Sequence, residues 1–300
     1  MTRLATTLNQ KEKFTADMAE ILKSVVTKEG TIATCFSTFW NYSIKNQFLA
    51  YWQASIMGIE ISPLCSFKGW NKLNRKVMRG QKAIYLWQPF FINIKEEDAK
   101  KDSYGYITRD KNGQLKKLIF KYKPSWFMYS QTEDCDDRFK INNAKTVDDL
   151  KPCFDDFDFN KVYDYYNIKL VPFHKVNGNV QGYANVQNKE LAINPLAEHV
   201  ELTIIHEIAH IALEHDKYKK ENKNDDIKAL KELEAETVAY IVGTILKVPE
   251  KYLAECRGYV QGWFGQNEIP QYNASRIMRI ANEILKVGYG LKLKDTDEIV

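Results

Sequence analysis

The chain has 300 residues, 44% of them hydrophobic and 13% aromatic, with a formal net charge of +4, which describes a folded soluble protein able to build one large core or two of ordinary size. No basic segment followed by an apolar run opens the sequence and no apolar stretch reaches the length of a bilayer, so a cytoplasmic protein with no membrane partner is expected. The five cysteines, Cys35, Cys65, Cys135, Cys153 and Cys256, are widely spaced without a CxxC pair, which excludes a disulfide framework and a finger-type zinc site.

Charge is spread unevenly: residues 1–135 hold 21 Lys and Arg against 12 Asp and Glu, and residues 136–300 hold 22 against 27. Opposite signs in the two parts predict different partners. Residues 10–57 read as helical, with Phe36, Trp40, Ile44, Phe48 and Tyr51 at helical spacing and therefore mostly core. Between Glu60 and Glu96 there is no acid, while Lys68, Lys72, Arg75, Lys76, Arg79, Lys82 and Lys95 are present, and an anion is the natural partner of such a stretch. Ala83 to Trp87 is a strand candidate, and Tyr104–Ile107 and Leu115–Phe120 flank the hairpin signal Asn112-Gly113. From Glu133 to Asn160 aspartates accumulate, which places a domain junction there: 1–135, an acidic linker 136–160, and 161–300.

In the second domain Ile168–Val171 and Glu190–Ile193 read as strands, with Gly178 and Gly182 as turn material. Asn194-Pro195 then announces a helix carrying Ile204, Ile205, Ile208 and Ile211 on an apolar stripe. Its centre is His206-Glu207-Ile208-Ala209-His210. On a helix this spacing sets two imidazoles one turn apart on one face with a carboxylate beside them, the arrangement of a Zn2+ site with a built-in base, Glu207. A catalytic zinc takes three protein ligands. The third is sought on a helix running from about Asp226 to Lys247, where Glu232, Ala235, Glu236, Ala239 and Gly243 share a face of two carboxylates followed by small side chains. Glu232 is read as the ligand and Glu236 as the acceptor that orients a ligand histidine, with the opposite assignment open. His174, His199 and His215 are read as surface or satisfied polar groups. The fold class is α+β, an α+β domain followed by a mainly helical one with a small sheet.

Two regions resemble a known family. Asn41 to Leu49, Trp70 through Gly80-Gln81-Lys82-Ala83-Ile84 to Pro89, and Tyr129-Ser130-Gln131-Thr132 resemble the N-terminal domain of ArdC-type antirestriction proteins. Gln181-Gly182-Tyr183, His206 to His210 and Glu232 to Glu236 are similar to that family's zincin-type metallopeptidase domain and to ImmA/IrrE peptidases, which makes the site gluzincin-like. Gln81 departs from the acidic residue usual in the family, and Lys95–Lys121 reads as an insertion. The resemblance implies single-stranded DNA as partner, a mobile element as carrier, a protein substrate, a substrate strand laid along Glu190–Ile193, and Tyr183 as a transition-state stabiliser. For the DNA, Lys68, Lys72, Arg75, Lys76, Arg79 and Lys82 supply cations, and Trp70, Tyr85 and Trp87 supply rings.

The leading expectation is an antirestriction protein that binds single-stranded DNA and carries a zinc-dependent peptidase-like domain. Its alternative is an intracellular regulatory zinc metalloprotease that cleaves a DNA-bound repressor. A third possibility is a structural metal in a pure binding module.

Overall fold

The computed structural model describes residues 17–97, 107–136, 156–174, 180–218 and 224–291. Tyr104, Cys153, Gly178 and most of the acidic stretch read as a linker lie outside the described residues. The architecture is α+β, in two compact units. One unit takes residues 17–33 together with 157–290, and the other takes residues 34–156. The first helix therefore belongs to the C-terminal unit, a difference from the boundaries read off the sequence.

That helix, α1 (Met18–Val26), is capped by Asp17, whose carboxylate accepts from the Ala19 amide at 2.8 Å. Ile21, Leu22, Val25 and Val26 are wholly buried, and the helix packs on the two C-terminal helices of its own unit. Helix α2 (Thr31–Phe39) straddles the division and α3 (Ile44–Met57) lies in the second unit. The stretch expected as helical is thus broken into separate helices. Ser43 caps α3, and Gly58 ends it in the left-handed region at φ 66°.

The second unit is built on a four-stranded antiparallel sheet of β1 (Leu64–Ser66), β3 (Ile84–Asn93), β4 (Ile107–Arg109) and β5 (Leu115–Met128). Strand β5 is central, with β3 on one side and β1 and β4 also paired to it. The expected hairpin is present, turning through Asp110–Gly113 with Gly113 at φ 76°. A short helix α4 (Phe67–Lys72) leads to β2 (Arg75–Val77), which pairs with β6 (Thr132–Asp134). Helix α3 covers the outer edge of β3 in an unusual way. The Asn46 amide exchanges two hydrogen bonds with the Trp87 backbone, both 3.0 Å, and the Gln53 amide does so with Tyr85 at 2.7 and 2.9 Å. Two side chains seven residues apart on a helix stand in for a neighbouring strand and blunt the sheet edge.

In the first unit, α5 (Phe159–Tyr166) precedes a three-stranded sheet of β7 (Lys169–Leu170), β8 (Gly182–Asn185) and β9 (Glu190–Ile193) in the order β7-β9-β8. Then follow α6 (Val200–Ala212), α7 (Asn224–Ile245), α8 (Glu250–Gln266) and α9 (Gln271–Gly288). Strand β9 is the middle of its sheet, so it cannot offer the substrate-binding edge expected of it; β8 is an edge strand. Gly182 is a strand residue rather than a turn. A Cβ there would stand 2.8 Å from Thr203 Cγ2 of α6, so the glycine lets the sheet lie against the helix. Gly243 does the same between helices, because a Cβ on it would stand 2.9 Å from Leu202 Cδ1 of α6. The small residues Ala235, Ala239 and Gly243 thus bring α7 close to α6, as the shared face predicts.

Candidate functional site

Helix α6 starts at Val200 rather than at Asn194-Pro195, which form a turn held by the Asn194 side chain to the Leu196 amide at 2.9 Å. The cap is His199, whose Nδ1 accepts from the Leu202 amide at 3.1 Å. His199 is thereby a satisfied polar group, and His174 is exposed. Two turns into the helix, His206 and His210 bring their Nε2 atoms to 3.0 Å. From α7, Glu232 Oε2 reaches to 3.4 Å from His206 Nε2 and 3.6 Å from His210 Nε2. Around a tetrahedral zinc with bonds of about 2.0–2.1 Å, ligand atoms stand roughly 3.3 Å apart. The triangle has that size, and two neutral imidazoles with one carboxylate are a fitting donor set for a divalent ion.

The surroundings favour a cation at that point. Burial opposes a charge on His206, but hydrogen bonds to Glu232 and Glu236 outweigh it and push the imidazolium up to about 10. Bonding from His206 and His210 holds Glu232 well below the usual carboxylate range. Burial works against the charge of Glu236, yet its bond to His206 prevails and keeps its carboxyl low. Without metal, a proton on His206 stands where an ion would sit among carboxylates. Glu236 Oε2 lies 2.9 Å from His206 Nδ1. It meets the ring nitrogen turned away from the triangle, so Glu236 stands outside the group of three and bonds to one of its imidazoles.

Glu207 is half-buried and lines a cleft of about 520 Å³ together with Val180, Gln181, Gly182, His206 and Glu236. Tyr183 does not line it. Alternation along β8 sends its ring to the opposite face of the sheet, where it meets Phe173 at a centroid distance of 5.9 Å. The tyrosine that lines the cleft is Tyr252 on α8; Tyr259 on the same helix is close enough to the carboxylates for its phenol to be raised by burial and by the charges of Glu232 and Glu236. No local motif marks it, since it reaches the site from another helix. His215 carries no site signal in the sequence either, yet it is buried and its Nδ1 lies 2.7 Å from His210 Nδ1.

In the second unit the expected DNA-binding residues separate into groups. Lys68, Lys72, Lys76, Arg79 and Lys82 are exposed. Trp70 is 0% exposed and its indole N–H donates to the Phe127 carbonyl at 2.8 Å, so it is a core anchor and not a ring for stacking on bases. Arg75 is spent on Asp134 at 2.6 Å, Thr132 at 2.8 Å and the face of Tyr129. Lys76 pairs with Glu133 at 3.3 Å. Pairing of β2 with β6 brings those acids across from a distant part of the sequence. A second basic surface lies on the main sheet, whose four strands contain no Asp or Glu. The register Leu86↔Lys123, Gln88↔Lys121 and Phe90↔Ile119 puts both lysines on the face of Phe90, with Lys123 at 4.1 Å and Lys121 at 5.6 Å from that ring. Phe91, next along β3 and so on the opposite face, is exposed. Across the strands, Trp87 and Tyr85 lie 5.3 and 5.2 Å from Tyr122, and Lys45 stands 5.1 Å over Trp87.

No helix among the described residues is long and apolar enough to cross a membrane. Comparison with protein-family models and with curated proteins finds no match. Among solved structures, the chain is similar to the antirestriction protein ArdC from plasmid R388 in its metal-free form, with 12% identity and a TM-score of 0.43. It is similar to the Mn(II)-bound form of the same protein with 12% identity and a TM-score of 0.46, each likeness covering 92% of this chain and 99% of the other.

Proposed function

We propose that the first unit is a divalent-metal hydrolase of peptidase type and that the second binds single-stranded DNA, the two serving together as an antirestriction protein of a mobile element. The hydrolase reading is carried by one observation, the convergence of His206, His210 and Glu232 beside a cleft that also contains Glu207. Zinc is the ion we assign, on the donor set and the size of the triangle. When bound, such an ion supplies Lewis acidity that makes water a nucleophile near neutral pH and polarises a carbonyl. Glu207, lining the same cleft, would be the base that takes a proton from the attacking water and returns it to the leaving amine, a role worth on the order of 10²–10⁴-fold. Glu236 keeps the His206 ring aimed. The edge of β8, beside Gly182, receives an extended substrate by strand addition.

The DNA reading is supported by the acid-free sheet with its paired lysines and rings, since single strands need cations for phosphates and aromatic faces for bases. The antirestriction role rests on the order of the motifs along the chain. Purified full-length protein titrated with Zn2+ and Mn2+ tests the first part: one ion should bind per chain, and His206→Ala or Glu232→Ala should abolish it. A wild-type chain that binds neither ion would falsify the hydrolase reading, and loss at Glu236→Ala with Glu232→Ala intact would reverse the two roles. Glu207→Gln should keep the metal and lose hydrolysis. If it also loses protection of DNA, the repressor-cleaving alternative gains over a protective coat.

A further inference from the structure

Behind His210 runs a line of buried polar groups that the hydrolytic reading does not use. Glu214, in the left-handed region at φ 51°, turns the chain sharply after α6 and folds His215 back onto His210. His210 Nδ1 meets His215 Nδ1 at 2.7 Å, and His215 Nε2 meets Glu234 Oε2 at 3.1 Å. Glu234 is 0% exposed and His215 3%. The same oxygen of Glu234 accepts from the Tyr218 hydroxyl, and its other oxygen accepts from Asn273 Nδ2 at 3.0 Å. Arg276 donates to the Tyr218 hydroxyl at 2.9 Å, and its guanidinium lies 4.0 Å from the carboxylate.

Two facing Nδ1 atoms can bond only if one carries a proton and the other does not. If His210 Nε2 gives its lone pair to an ion, His210 Nδ1 keeps its hydrogen and donates. His215 Nδ1 must then accept, which leaves the hydrogen of His215 on Nε2, aimed at the one group there that can only accept, Glu234. Every donor and acceptor in the line is then satisfied, and no other arrangement with His210 as ligand achieves this.

We propose that His215 and Glu234 are positioning residues for the metal centre, a relay that fixes the tautomer and ring angle of His210 as Glu236 does directly for His206. The proposal rests on the reading of His206, His210 and Glu232 as ligands. It accounts for a carboxylate buried on α7 between Glu232 and Glu236, where an unpaired charge would be strongly destabilising. It also gives the direction of each bond, so it predicts which replacement is tolerated. Gln at 215 can still accept through oxygen and donate through nitrogen, whereas Phe can do neither.

The test is equilibrium competition for Zn2+ between the full-length protein and a chromophoric chelator, with the metal-free melting temperature of each variant measured alongside. His215→Phe should weaken Zn2+ binding about 10–100-fold, and His215→Gln should stay within roughly threefold of wild type. Wild-type affinity in His215→Phe overturns the proposal, as does a His215→Gln loss equal to that of Phe with an unchanged melt. A wild-type chain that binds no Zn2+ defeats the ligand assignment instead. Should His215→Phe fail to fold, imidazole ¹⁵N spectra of zinc-loaded wild type decide: a proton on His215 Nε2 with a bare Nδ1 supports the relay, and a proton on His215 Nδ1 overturns it.

Discussion

Lys45 sits where its charge is disfavoured. Burial pushes its ammonium down to about 8 while the amine stands over the Trp87 ring. Between about 8 and the unfolded value of 10.5 the unfolded chain binds more protons, so stability rises with pH across that window, and below it the fold carries the whole desolvation cost. Lys45→Met should therefore raise the melting temperature at pH 7, with the gain vanishing by about pH 10.5. The same variant should bind labelled single-stranded oligonucleotide more weakly in fluorescence anisotropy; a stabilised protein with unchanged affinity would show that the lysine serves no anion. On the neighbouring face, Lys121→Glu with Lys123→Glu should weaken that binding by about tenfold or more and flatten its dependence on salt. Tyr259 offers a comparable test in the other unit. A protonated phenol near the triangle can donate to a developing oxyanion, so Tyr259→Phe should lower kcat about 10²-fold with Zn2+ affinity unchanged. A larger loss from Tyr183→Phe would favour the residue that the sequence suggested.

At the scale of elements, close approach governs how His206, His210 and Glu232 meet. The pattern of Ala235, Ala239 and Gly243 could be read from spacing alone because a helix has one period and the seam lies on one face. The role of Gly182 could not, since a lone glycine in a four-residue strand looks like a turn until the helix it touches is known. Gly182→Ala should cost roughly 1–3 kcal/mol by chemical denaturation, and Thr203→Ser, which removes the crowding Cγ2, should restore part of that loss. The residues expected to contact DNA divide for a similar reason. Counting charges along the chain leaves out pairing between distant strands, which neutralised Arg75 and Lys76, and it does not show that Trp70 has an acceptor waiting in β5. Several residues of the N-terminal motifs brace the frame. Asn46 clasps β3, and Gln131 ties the Gln81-Lys82 turn by bonds of 3.2 and 2.8 Å. Asn46→Ala with Gln53→Ala leaves backbone groups of Tyr85 and Trp87 unpaired, and should cost about 1–3 kcal/mol for each bridge lost.

The whole molecule is organised as an interrupted unit and an inserted one. Met18, Ile21, Leu22, Val25 and Val26 are buried within a unit whose other residues begin at Phe157. A fragment of residues 157–291 should accordingly melt well below the full chain or aggregate, and a peptide of residues 17–33 added to it should raise its melting temperature. A fragment that folds with full Zn2+ affinity unaided would show that α1 is dispensable.

Interruption also sets an order of assembly. A ribosome releases the inserted unit whole, so that unit can fold while synthesis continues. Helix α1 must wait for α9, a delay on the order of 10–50 s at usual elongation rates. The unit that gathers His206, His210 and Glu232 therefore matures last, after the inserted one has had time to fold.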